Sequence, residues 1–355
     1  MNKRKLALLA ALPAAIFAAN VNAGSDIQVY GKVRISLDSI DGDELKAVGG
    51  NDDWELNTNA SRVGFKGAYD INENLKAIYK LEYGTDADGE GGTWTRRNIY
   101  GGFTSASFGT VIAGSFDTPM KKSAGKVDLF DDTSAEMEGV MTGNFRPDNI
   151  IQWSSNTLGD AFQVNVALIQ GEHRDGATGN DDGLADGTSV SLTYDKENLY
   201  FALAWDSDTG HNGGFGQDIW RFVGAGKIGD SFTLGGMYQT MDNADGGDTI
   251  GSAAAGATKT SDAEAGLFRA AQGFANEQDA YLLSFKYQHT DSGALKFQYA
   301  QSDNELGSTD WDVEQWTIGY DWMLNDRTTV YAFYSDWEVD GDDGYGTIAG
   351  MGADD

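Results

Sequence analysis

The sequence predicts an all-β chain: a transmembrane up-and-down antiparallel β-barrel of about sixteen strands, with short periplasmic turns and long acidic extracellular loops. Three observations point there. Segments of roughly 9 to 11 residues alternate apolar and polar side chains, the period of a pleated strand. Compact turns and long loops rich in Asp and Gly then follow each other in strict alternation, as happens when a chain crosses a membrane back and forth. After the N-terminus no stretch approaches the roughly 20 apolar residues of a membrane helix, so strands must do the crossing.

The first residues set the compartment. Lys3, Arg4 and Lys5 precede an apolar run from Leu6 to Ala19 and the small-residue signal Val21-Asn22-Ala23. That order describes a secretory signal peptide, residues 1–23, leaving 24–355 as one barrel domain. The chain carries a formal charge of −30 and no cysteine. Such acidity repels phosphate, which argues against a nucleic-acid partner, and attracts cations, including divalent ones bridging to anionic lipid and lipopolysaccharide. Without thiols, redox chemistry, thiolate nucleophiles and cysteine zinc sites are excluded. With 47 glycines and 40% hydrophobic residues, apolar side chains are too thinly spread for a large conventional core.

The strands read as 27–38, 60–69, 74–84, 95–104, 109–116, 148–155, 161–170, 187–195, 198–206, 217–227, 231–240, 279–290, 294–303, 312–323 and 328–338. Turns such as "DINEN" (70–74), "DKEN" (195–198) and "LNDR" (324–327) supply Asp and Asn for tight backbone angles. Long connections fall at 39–58, 85–94, 116–146, 172–186, 207–216, 241–278 and 304–311. That gives about fifteen strands where an even number is expected. The last strand is therefore weak or missing, with Tyr345 to Ala353 the remaining candidate. In "NLKAIYKLEYG" (74–84), Leu75, Ala77, Tyr79, Leu81 and Tyr83 share one face and Lys76, Lys80 and Glu82 lie on the other. With no second apolar surface to cover the first, the Leu75 face belongs against lipid and the Lys76 face against a wet lumen. Tyr69, Tyr83, Phe103, Trp153, Trp205, Trp220, Trp322 and Trp337 fall at strand ends, where aromatic girdles sit.

"SRVGFKGAYDINENLKAIYKLEYG" (61–84) resembles the second hairpin of Gram-negative general porins, the trimeric sixteen-stranded type. "VYGKVRISLD" (29–38), "RRNIYGGFTSASFGTVIAGSFDTP" (96–119) and "YDWMLNDRTTVYAFYSDWEVD" (320–340) are similar to other blocks of that family. The resemblance implies an outer-membrane homotrimer passing small hydrophilic solutes and ions. It also implies that the third long loop, near 116–146, folds into the barrel as the constriction.

Pro119 and Pro147 bracket that loop, as residues that end a ladder should. It carries Asp128, Asp131, Asp132, Glu136 and Glu138 after Lys121, Lys122 and Lys126. Strand parity points Tyr30, Lys32 and Arg34 inward, then Arg62 and Lys66, then Lys76 and Lys80, and also Arg96, leaving Arg97 near the rim. Acidic loop and basic wall would set up a transverse field across the water. The overall acidity adds the expectation of weak cation preference.

Asp41, Asp43, Glu44, Asp52 and Asp53 in the first loop, with Asp181, Asp182 and Asp186 in the fourth, offer oxygens for loosely bound Ca or Mg. No spacing defines a metal site, and no cofactor is expected. A barrel enzyme would need a nucleophile with a base, yet His173, His211 and His289 have no serine motif nearby and read as surface residues. The chain is thus not expected to be an enzyme. The remaining rivals are a soluble adhesin and a substrate-selective channel in which the 241–278 loop binds or gates.

Overall fold

The computed structural model describes residues 4–23, 25–41, 54–89, 91, 94–170, 183–209, 217–243, 275–307 and 309–341. Its strands are β1 (Arg4–Ala23), β2 (Ser25–Asp41), β3 (Trp54–Thr58), β4 (Arg62–Asn72), β5 (Leu75–Gly84), β6 (Thr95–Ser105), β7 (Gly109–Ser115), β8 (Ile150–Ser154) and β9 (Phe162–Ile169). They continue as β10 (Gly187–Lys196), β11 (Leu199–Ser207), β12 (Gln217–Ile228), β13 (Phe232–Asn243), β14 (Glu277–Thr290), β15 (Gly293–Leu306), β16 (Thr309–Asn325) and β17 (Thr328–Gly341).

All seventeen join one sheet and every pairing is antiparallel, between chain neighbours except for β1 with β17 and β2 with β4. β3 and β4 pair with successive halves of β2 and share one place. β1 pairs with both β2 and β17, so the sheet closes as a ring of sixteen places and leaves no free edge in lipid.

The stretch 4–23, expected from the sequence to form a signal peptide, occupies the ring's sixteenth place. Both of its ladders break their register around Pro13, which has no N–H to give. The other candidate for that place, Tyr345 to Ala353, lies outside the described residues. The expected strand 60–69 is β4, while β3 adds a strand at the end of the connection expected over 39–58, separated from β4 by an interruption at Asn59–Ser61. There Ala60 takes a positive φ of 50° and three residues face two on β2.

The returns between β4 and β5 and between β16 and β17 show why Asn recurs there. Asn72 Oδ1 accepts from the Asn74 N–H at 3.0 Å, and Asn325 Oδ1 from that of Arg327 at 2.9 Å. The outer face is apolar: Phe65, Leu81, Phe103, Phe201, Phe222, Leu283 and Ile318 are all exposed. Trp153, Trp220 and Trp322 join them, and Trp205 stacks toward Trp220 at 6.0 Å. Trp337 does not belong to the girdle. It is 8% exposed and faces inward, where its ring lies against Gly139 so closely that a Cβ there would overlap it.

The core is inside the barrel, between its wall and residues 116–149. This connection holds the short helix α1 (Pro119–Ser123) and a single 3-10 turn (Met137–Gly139). Thr118 caps α1 by accepting the Lys121 N–H at 3.1 Å, and Pro119 fits its first position because that N–H needs no partner.

Candidate pore constriction

The inward loop touches the ring through two kinds of contact. Its apolar residues, Met120, Val127, Phe130, Met137, Val140 and Met141, are buried against the inner face of β11–β17. That arc answers with Ala202, Ala204, Ile219, Val223, Leu282, Ala300, Val313 and Phe333. Phe130 meets Phe333 edge-on at 5.5 Å and lies over Gly319, where any side chain would strike its ring. Polar anchors stitch the same seam. Fully buried Arg221 donates to Gln239 Oε1 at 2.8 Å, to Asn144 Oδ1 at 2.9 Å and to the carbonyls of Thr142 at 3.0 Å and Met120 at 3.2 Å. Gln298 accepts the Leu129 N–H at 2.8 Å, and Lys296 donates to the Leu129 carbonyl at 3.0 Å.

The second contact is ionic and lies at the opposite arc. Asp132 meets Lys32 at 2.9 Å, Arg62 at 3.4 Å and Arg97 at 3.9 Å. Arg34 donates to the Asp131 carbonyl at 2.7 Å. Asp132 turns with a positive φ of 60°, a conformation that Asp tolerates better than most residues. Three cations hold its carboxyl below the usual carboxylate range, outweighing the burial that opposes them.

Two expectations are corrected here. The acids do not face the basic wall across open water; Asp132 sits on it. Nor do the other acids all present charge to the lumen. Asp128 staples its own loop, accepting the N–H groups of Phe130 at 3.0 Å and Met137 at 2.9 Å. Burial, with Asp131 beside it, pushes its carboxyl up to about 6. Glu136 accepts the Asp132 N–H at 3.1 Å, and Glu138 pairs with Lys121 at 2.8 Å. The Asp131 side chain is exposed on the loop surface.

On the wall, Lys32, Arg34, Arg62, Lys66 and Lys80 share the lumen side, but Arg96 does not. Arg96 is 58% exposed and pairs with Asp148 at 2.6 Å, while Arg97 reaches both Glu82 at 3.4 Å and Asp132. The cause is a bulge: Leu81 pairs with Ile99 but Tyr83 pairs with Arg96, so β6 carries one residue more than β5 and its parity flips. Lys76 stays near the turn, with Asp70 at 2.9 Å. Sequence reasoning also missed Arg221, Gln239, Lys296 and Gln298. Their signal was polarity at inner-face parity on strands whose neighbouring inner positions are small or apolar.

The loop thus fills the side of the lumen next to β11–β17. Outside that apolar seam, along β2–β7, Tyr30, Lys66 and Lys80 gather with Tyr100 and the loop's Lys122. A closed ring with an apolar outside, a wet inside and one connection turned inward decides the fold family. Residues 7–342 match the family described as Gram-negative porin. The chain belongs to that family.

Relatives agree. The porin is 32% identical over 151 residues to the major outer membrane protein P.IB of Neisseria gonorrhoeae, covering 41% of this chain and 38% of that one. Against the Neisseria sicca protein of the same name, identity is 29% over 185 residues, covering 51% and 50%. The alignments thus span half or less of the curated relatives. Among solved structures, the anion-selective porin from Comamonas acidovorans superposes with a TM-score of 0.62 at 16% identity, over 90% of this chain and 100% of that one. Salmonella typhi OmpF, in complex with daunomycin, gives 0.58 at 15% identity over 91% and 100%. The porin is an outer-membrane protein.

Among the described residues no group of three or more His, Asp or Glu side chains is placed to hold a metal ion. Of the first- and fourth-loop acids, Asp43, Glu44, Asp52, Asp53, Asp181 and Asp182 lie outside those residues, as do His173, His211 and most of the 241–278 loop. Asp186 accepts the Gly183 N–H at 3.1 Å. His289 is the penultimate residue of β14, beside a two-residue return, and its ring shares a 2.8 Å hydrogen bond with the Tyr320 hydroxyl.

Proposed function

We propose that this porin is a water-filled channel for passive diffusion of small hydrophilic solutes and ions, assembled as a homotrimer. The observation that carries the reading is the loop's one-sided placement: it narrows the barrel along β11–β17 and leaves the β2–β7 arc lined with charge. A lining of ammonium and guanidinium groups lowers the barrier for hydrated polar solutes and sets ionic bias where the field is narrowest.

The sign of that bias has two readings. The overall charge of −30 favours cations at the mouths. In the gap itself Asp132 is shared by three cations, whereas Lys66 and Lys122 have no ion pair among the described residues. The gap therefore favours anions, and the weak cation preference expected from composition is the second reading. Loose Ca or Mg held by the outer acidic loops, bridging to lipopolysaccharide, belongs to the same proposal, supported by charge alone.

Purified protein added to a planar bilayer should produce stepwise, ohmic conductance in KCl. Reversal potentials in a salt gradient separate the two readings, and silent bilayers from folded protein refute the channel. Chemical cross-linking that yields dimers at most would remove the trimer.

A further inference from the structure

The open arc of the lumen carries an alternation of rings and ammonium groups that the fold does not require. Tyr30 reaches from β2 across Gly64 on β4, whose missing side chain makes room for the ring, and donates its hydroxyl to Glu82 at 2.7 Å. Lys66 and Lys80 stand directly opposite each other on β4 and β5. Like charges so placed disfavour the sheet unless an anion joins them. Their nitrogens lie 5.5 and 5.7 Å from the Tyr30 ring centre.

Tyr100, the β6 partner of Lys80, meets Phe116 edge-on at 5.6 Å. Lys122 comes from the loop, lies 5.2 Å over Phe116, donates to Gln152 Oε1 at 3.3 Å and is near enough to Lys80 to feel its charge. The two carboxylates of this band are already taken. Glu82 receives Tyr30, Lys80 at 3.0 Å and Arg97, while Asp117 receives Arg146 and Asn98, each at 2.8 Å.

We propose that this band is a binding subsite for small organic anions bearing a carboxylate beside a flat apolar ring, aromatic monocarboxylates being the simplest. Lys66 and Lys122 attract the carboxylate, with Lys80, shared with Glu82, beside them, while Tyr30 and Tyr100, the latter backed by buried Phe116, offer ring faces and edges. An inorganic anion would use only the first half of the site. The inference rests on the channel reading above and adds a substrate class to it.

The test is ion current through the full protein in a planar bilayer, titrated with benzoate, acetate or benzyl alcohol at constant ionic strength. Benzoate should block at concentrations at least about fivefold below acetate, benzyl alcohol should not block, and Lys66→Gln with Lys122→Gln should raise the half-blocking benzoate concentration roughly tenfold. Any KCl conductance from that double variant reports that it has folded and inserted, since both lysines are exposed and outside the loop's apolar seam, and its benzoate block is read as a fraction of its own unblocked current. Equal action of benzoate and acetate on the unaltered protein would overturn the subsite, as would unchanged block in the double variant. Absence of any conductance would overturn the channel reading itself and the subsite with it.

Discussion

The arcs β2–β7 and β11–β17 share strand geometry, pairing and an apolar outer face, yet their linings are opposite. One presents Tyr30, Lys32, Arg62, Lys66, Lys80 and Arg97; the other presents Ala204, Val223, Leu282, Ala300 and Phe333. The inward loop mirrors this division, with Met and Phe on one side and Asp132 on the other. Magnitudes say which side fixes it. Each fully buried large apolar side chain is worth about 1.5–3 kcal/mol, whereas a partly solvated ion pair contributes about 1 kcal/mol or less. The apolar arc seats the loop, and the basic arc tunes the water-filled remainder.

Damage to the apolar seat should break that comparison most severely. Phe130→Ala removes the ring packed on Phe333 and Gly319 and should cost about 3–5 kcal/mol of loop seating. The expected readout is noisy, larger conductance and protease cleavage within 116–149, with the barrel's β signal retained.

Next in size is a pH effect carried by Asp128. Its folded value of about 6 lies above the ordinary 3.8, so the folded state holds the proton more tightly. The contribution is fully present below about pH 4 and is lost as pH rises through about 6. Thermal stability should therefore fall across that window more steeply in the unaltered protein than in Asp128→Asn, as read from melting temperatures at a series of pH values.

Smaller still is the contrast between adjacent arginines. Arg97→Gln should move the reversal potential toward cations, since Arg97 faces Asp132 and Glu82. Arg96→Gln should leave it within error, since that side chain pairs with Asp148 away from the gap. Equal shifts would mean the bulge at Leu81–Tyr83 has been misread.

Period and turn chemistry made the barrel legible, because a two-residue repeat can be satisfied only by a sheet with unlike faces. The same parity placed Lys32, Arg34, Arg62, Lys66 and Lys80 on the lumen side. It failed at Arg96 because one inserted residue flips every side chain beyond it, and nothing in "TWTRRNIY" announces the insertion. It failed for Trp337 because an aromatic near a strand end fits a lipid girdle and a lumen core equally well. The loop's acids were visible by composition, but the partner of each was not. Whether Asp128 serves backbone N–H groups or water depends on contacts such as those with Phe130 and Met137, which form only when the loop coils back on itself.

The chain contains no cysteine, so single thiols can be placed where the two arcs differ. Lys66→Cys and Ala300→Cys, each treated with a charged, membrane-impermeant thiol reagent during single-channel recording, test directly where the passage runs. Modification and a step fall in current at Lys66→Cys, with Ala300→Cys unreactive, is the result expected of a loop seated on the apolar arc. Reaction and blockade at Ala300→Cys, with Lys66→Cys silent, would place the water on the other side and contradict the account.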